Sequence, residues 1–136
     1  MNKNNSIVVI KNGVILANKT GEGIKPIIES ILELKDKIHG CVIGDKILGK
    51  ASALLCVYCK AKAVYSPQST DSAISLLSKM GIYYQTDMII PFIKNRYKND
   101  ICPFEKIVEN IDSPKEAYKI LIKKYDQILN LNKKIN

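Results

Sequence analysis

No uninterrupted apolar segment in this 136-residue chain approaches the roughly 20 residues a helix needs to span a bilayer, and no membrane partner is expected. The first residues, Met1-Asn2-Lys3-Asn4-Asn5-Ser6, lead into a short apolar run without a small-residue cleavage site. A signal peptide is therefore not expected, and a cytoplasmic location is. The chain carries no zinc finger, helix-turn-helix or RNA-binding signature, so no sequence-specific nucleic-acid partner is expected. Its one histidine, His39, lies in Lys37-Ile38-His39-Gly40, which reads as a helix end, where an imidazole needs no catalytic role. A Gly-rich phosphate cradle is missing. So are an internal repeat and an interdomain linker, and residues 1–136 read as a single domain with residues 130–136 as a fraying tail.

What is present is an ordinary globular balance, 46% hydrophobic and 25% charged, in a chain long enough to build a core without metal or disulfide staples. The formal net charge is +8. The lysines are dispersed, as on a solvated surface, with much of the excess near the C-terminus. The four cysteines are Cys41, Cys56, Cys59 and Cys102. Cys56 and Cys59 have the Cys-x-x-Cys spacing, one turn apart on a helix, but thioredoxin-like chemistry wants such a pair at an exposed helix start. Theirs is the run Leu54-Leu55-Cys56-Val57-Tyr58-Cys59 near a helix end. They read as buried small hydrophobes, and no metal site or other cofactor is expected.

Apolar periodicity and turn residues order the rest. Residues 7–11, Asn12-Gly13 and residues 14–17 read as strand, two-residue turn and returning strand, an N-terminal β-hairpin. Thr20-Gly21-Glu22-Gly23 is a connection. Pro26 suits the first turn of a helix whose apolar face is Ile27, Ile28, Ile31, Leu32, Leu34 and Ile38. A short strand is expected at residues 41–43, then a helix capped by Asp45 and running to about residue 59. A central strand at residues 61–65, a turn at Ser66-Pro67-Gln68-Ser69, a helix over residues 70–79 and an edge strand at residues 82–85 follow. Pro91 interrupts the next apolar run, and residues 95–100 read as a loop. Cys102-Pro103 opens a short helix, and Asp112-Ser113-Pro114 opens the last one, through residue 129. The alternation predicts an α/β sandwich around a sheet.

Two polar clusters beside apolar runs carry the candidate chemistry. In the first, Asp45 serves as acid, base or positioning carboxylate, or only as a cap. Lys46 and Lys50, four residues apart, share the face of the expected helix. With backbone amides they could hold a phosphate at its start, or else simply be solvated. In the second, Asn95-Arg96 precede Cys102-Pro103-Phe104-Glu105-Lys106. Helix amides and Arg96 would favour the Cys102 thiolate, and Glu105 would bond to the helix start or move protons. No partner base for protease-like catalysis accompanies them. Ser66 and Ser69 offer hydroxyls for a ligand or for capping, and Gly21-x-Gly23 offers either close approach to a ligand or a plain turn.

The combination Gly21-x-Gly23-Ile24-x-Pro26, Asp45-Lys46-x-x-Gly49-Lys50-Ala51-x-Ala53-Leu54-Leu55, Tyr65-Ser66, Asn95-Arg96 and Cys102-Pro103-x-Glu105-Lys106 covers most of the chain. It resembles a small uncharacterised bacterial and archaeal family placed in the cytidine-deaminase-like superfamily. The resemblance implies a three-layer cytidine-deaminase-like sandwich with a mixed sheet. It points to Asp45, Lys46, Lys50, Asn95, Arg96, Cys102 and Glu105 as functional positions, without a substrate. Active zinc deaminases resemble a His-or-Cys, x, Glu motif followed by Pro-Cys-x-x-Cys, with a metal-bound water as attacking group. Asp45-Lys46-Ile47 does not reproduce the first, and Ser66-Pro67-Gln68-Ser69 lacks the cysteines of the second.

The expectation is therefore a zinc-independent deaminase-like domain that binds a small anionic or nucleotide-like ligand. Lys46, Lys50 and Arg96 would hold the anion; Asp45, Asn95 and Ser66 would meet polar groups. Two alternatives stand beside it: an enzyme using Cys102, with Arg96 stabilising its thiolate or a developing oxyanion and Glu105 and Asp45 as further catalytic candidates, and a non-catalytic interaction module. A homodimer through an exposed sheet edge or an apolar helix fits any of the three.

Overall fold

The computed structural model of the chain describes residues 6–95 and 100–135, with residues 131–135 as backbone alone. The hairpin forms first: β1 (Ile7–Lys11) turns at Asn12 and Gly13 into β2 (Val14–Lys19). Both turn residues have positive φ, 52° and 78°, the turn whose twist matches its strands and which Asn-Gly adopts with little strain. Three crossovers follow. α1 (Lys25–Leu34) leads to β3 (Val42–Asp45); a two-residue β4 (Ile47–Leu48) and α2 (Lys50–Tyr58) lead to β5 (Ala63–Thr70); α3 (Asp71–Lys79) leads to β6 (Tyr83–Ile90). β1 is antiparallel to β2 and β3, whereas β3 and β6 are parallel to β5. The mixed sheet has the order β2-β1-β3-β5-β6, with β4 beside the later half of β5.

Each crossover joins parallel strands and steps the same way across the sheet. Right-handed crossovers, the near-universal hand, then put α1, α2 and α3 on one face. Burial agrees. Ile7, Val9, Ile43 and Val64 on that face are at most 2% exposed, while Val8, Ile10, Val42 and Ala63 on the other are only half-buried. α2 is buried from Ala51 through Cys56, as a helix apolar all round must be. After the short α4 (Pro103–Ile107), α5 (Pro114–Ile135) lies across α2 and supplies the outer layer. It buries Ala117 and Leu121 and stacks Tyr118 on Tyr58, with ring centroids 4.0 Å apart. Sheet, crossover helices and α5 make a mixed α/β sandwich, consistent with the cytidine-deaminase-like fold that the residues implied. Among the described residues no helix is long and apolar enough to cross a membrane. Cys56 and Cys59 are buried, as read.

Several local expectations are corrected. Asp45 caps no helix; it ends β3, and Gly49 stands at the start of α2 without a side-chain bond. The chain stays extended past Asp45 because the Lys46 amide donates to the Ser6 carbonyl at 3.0 Å and Ile47-Leu48 pair with Gln68-Ser69. Lys46 and Lys50 therefore share no helix face. Ser66-Pro67-Gln68-Ser69 is no turn but the later half of β5. Pro67, which has no N–H to give, falls in a gap: β3 pairs as far as Tyr65, β4 begins at Gln68, and the β6 ladder skips Pro67. The helix begun near Pro26 ends at Leu34, Lys35 turning to φ 51°, and Lys35–Ile38 form a 3₁₀ turn. α5 extends past residue 129, to Ile135.

In urea denaturation, Leu121→Ala is expected to cost about 2–5 kcal/mol. Leu129→Ala, at a position 38% exposed, should cost less than about 1 kcal/mol. Equal losses would mean that α5 is not anchored through Leu121.

Candidate functional site

β5 ends where α3 begins, and β3 leads through β4 to the start of α2. In open α/β sheets ligands bind outside the carboxyl ends of the strands, and here that end is unusually polar inside. Asp45, Ser52, Ser66, Ser69 and Thr70 are all buried. Ser66 lies one position past the last paired residues of β3 and β5, on the face that carries Asp45. The Ser66 hydroxyl donates to the Gln68 carbonyl at 2.7 Å, and Thr86 on β6 donates to the Ser69 hydroxyl at 2.9 Å. Thr70 caps α3 by accepting from the Ala73 amide.

Asp45 is the charged member of this group and is 9% exposed. Burial raises its pKa to about 7, opposed by hydrogen bonds from the Ser52 hydroxyl and the Ile47 amide; the Glu105 charge raises it further. Beneath it, the Cys56 thiol is held well above its ordinary range, first by burial and then by Asp45. Ser52 is one residue that sequence reasoning missed. Its only signal was a hydroxyl placed between alanines on the first turn of a helix apolar all round. Thr86, on a strand read only as far as Gln85, was missed as well.

The second carboxylate reaches this place from far along the chain. Glu105 on α4 lies across the start of α2: Oε1 accepts the Lys50 amide at 2.9 Å and Oε2 the Ala51 amide at 2.8 Å. Burial raises the Glu105 pKa, while those two amides and the Lys50 charge pull it down. Gly49 makes the approach possible, because a Cβ there would overlap the Glu105 carboxyl and the Ile93 side chain. Gly23, at φ +60°, serves the neighbouring residue: a Cβ on it would stand 3.3 Å from the Phe104 ring. α4 thus seats Phe104 against Gly23 and Glu105 against Gly49.

The expected anion site at the start of α2 is occupied by the protein's own carboxylate. Lys50 turns away from it, donating to Asp112 Oδ1 at 2.9 Å and the Glu109 carbonyl at 3.1 Å. Lys46 is exposed to solvent. The Asn95 amide donates to the Asp100 carbonyl at 2.7 Å. An antiparallel bridge between Lys94 and Ile101 closes the same small hairpin. Arg96 lies outside the described residues. Cys102 stands at the start of α4, as expected, and its carbonyl accepts the Glu105 and Lys106 amides. Its thiol is nevertheless pushed up: burial outweighs the Glu105 and Phe104 amides that favour thiolate. Among the described residues no group of three or more His, Cys, Asp and Glu side chains is arranged to hold a metal ion.

A carboxyl with a raised pKa binds its proton more tightly folded than unfolded. The resulting stability is present below pH ~4 and lost as pH rises through about 7. Asp45→Asn should therefore flatten the stability profile between pH 4 and 7 relative to the parent, by up to about 4 kcal/mol. Parallel profiles would show that Asp45 is not the titrating group. Glu105→Ala, which leaves two amides without an acceptor, is expected to cost about 1–3 kcal/mol in denaturant melts. Full retention of stability would mean that water replaces Glu105 at no cost.

Residues 1–125 match the family described as TM1506, a domain of unknown function (DUF1893). The crystal structure of a DUF1893 family protein (TM1506) from Thermotoga maritima is similar, with a TM-score of 0.81 and 28% identity over 90% of this chain and 82% of that one. A dCMP deaminase from cyanophage S-TIM5 gives a TM-score of 0.47 and 16% identity over 62% of this chain and 78% of that one. A diaminohydroxyphosphoribosylaminopyrimidine deaminase/5-amino-6-(5-phosphoribosylamino)uracil reductase from Thermotoga maritima gives 0.46 and 14%, over 75% of this chain and 33% of that one. TM-scores below 0.5 extend no function to this chain. No curated protein matches it.

Proposed function

This chain belongs to the DUF1893 family, and we propose that it binds a small anionic, nucleotide-like ligand at the carboxyl ends of β3 and β5, without zinc. One observation carries this reading: Asp45, Ser52, Ser66, Ser69 and Thr70 are each buried, along the end of β3, the later half of β5 and the first turn of α2. Buried polar groups weaken a fold unless each is satisfied. A buried carboxyl whose pKa is near 7 is the kind of group that functional sites keep.

The division of labour follows from charge. Asp45, half-protonated near neutral pH, can donate or accept a hydrogen bond, which suits the mixed donor–acceptor edge of a nucleobase. Ser66 and Asn95 supply further polar contacts. Glu105 already fills the α2 amides, and Lys46 alternates to the opposite face of the sheet from Asp45, so the ligand's anionic group falls to Arg96. Lys50, bound to Asp112, acts by fixing the start of α2 rather than by contact.

Isothermal titration with a panel of nucleoside monophosphates tests this. At least one should bind, and Asp45→Asn and Arg96→Ala should each weaken it by about tenfold or more, as loss of a buried or charge-assisted hydrogen bond does. Unaltered affinity in both variants would remove the ligand from this site. Absence of binding across the panel would refute the nucleotide-like assignment.

A further inference from the structure

The crossover helices cover one face of the sheet, and among the described residues no helix lies on the other. Strand register sets out that face in rows. Ile15, Ile10, Val42, Ala63 and Tyr83 are paired in sequence across β2, β1, β3, β5 and β6, and Asn18, Val8, Gly44, Tyr65 and Gln85 form the row beside them. The first row is apolar from end to end. Its outer members are open to solvent, Ile15 at 60% and Tyr83 at 69% exposed. Parallel ladders are almost always covered on both faces, and a contiguous apolar patch of a few hundred Å² marks an interaction surface.

We propose that this helix-free sheet face is the interface of a homodimer, two copies packing sheet against sheet about a two-fold axis. Charge identifies the occupant. The chain has a net charge of +8, yet neither row contains a lysine, arginine, aspartate or glutamate, so this is where two basic copies can approach with least repulsion. The next alternate positions along the strands hold opposite signs: the exposed Lys46 after β3, and Asp87 on β6, which accepts the Tyr65 hydroxyl at 2.7 Å. A self-complementary rim of this kind is what a two-fold contact needs. Nucleic acid would want cations on the face itself.

Size is adequate for a reversible dimer. Five strands about 4.8 Å apart and some 20 Å of strand length give on the order of 500 Å² in projection, more with side-chain relief. A standard interface uses about 800 Å² per partner.

Sedimentation equilibrium on the full chain at micromolar concentration should find a concentration-dependent species of twice the chain mass. Ile15→Lys combined with Tyr83→Lys, both on solvent-exposed outer-strand positions, should weaken dimerisation at least about tenfold. Ile120→Lys on the outer side of α5 should leave it unchanged. If the lysines disturb the strands, Ile15→Thr with Tyr83→Thr keeps β-forming residues and gives the same reading. A wild-type chain that stays monomeric up to the highest soluble concentration would overturn the proposal. So would a dimer indifferent to both double variants, or one lost only with the α5 variant.

Discussion

The Glu105 carboxylate on the first amides of α2 is the contact around which this molecule is arranged. α2 is buried along most of its length, so its leading N–H groups cannot turn to water for acceptors. Gly49 stands at the helix start and has no side chain to cap it. A carboxylate from α4, 55 positions along the chain, supplies both bonds, and its negative charge sits at the positive end of the helix dipole. The requirement spreads outward. Gly49 must lack a Cβ, Gly23 must make room for Phe104, and Lys50 is drawn to Asp112 at the threshold of α5. One electrostatic need thereby fixes α2, α4 and the beginning of α5 relative to one another.

That arrangement gives the polar end of the sheet its character. The Glu105 charge adds to the burial that keeps Asp45 close to neutrality. It also removes the helix start as a landing place for an outside anion. The Ser52 hydroxyl meets Asp45, while Ser66 and Ser69 are satisfied by the Gln68 carbonyl and by Thr86. Burial likewise keeps Cys102 a thiol in spite of its position at the start of α4.

Among the described residues, the same topology leaves one face of the sheet without a helix. Crossovers that all step one way must all lie on one side. α5 thickens that side by packing on α2 rather than closing the other. The apolar row from Ile15 to Tyr83 is therefore a consequence of strand order, and its lack of charge in a basic chain distinguishes it from ordinary surface.

Local chemistry was legible in the residues alone: the Asn12-Gly13 hairpin, Pro26 in the first turn of α1, Pro103 at the start of α4, the buried Cys56 and Cys59, and a break at Pro91. Each follows from interactions within a few positions, so a linear reading suffices. Asp45 was misread as a helix cap because its run looks like a cap when the extended path to β4 is hidden. That path depends on Ser6 and on Gln68-Ser69, distant partners that no local pattern names. The turn assigned to Ser66-Pro67-Gln68-Ser69 failed for the same reason, since only pairing with β4 and β6 reveals a gap into which proline fits. Residue patterns reveal most of the helices and strands, and which residues are polar. Packing settles that Glu105 occupies the first amides of α2, that Ser52 meets Asp45, and that, among the described residues, one sheet face carries no helix. Those outcomes rest on burial and on contacts between segments far apart in the chain, and they exist only once the layers have packed.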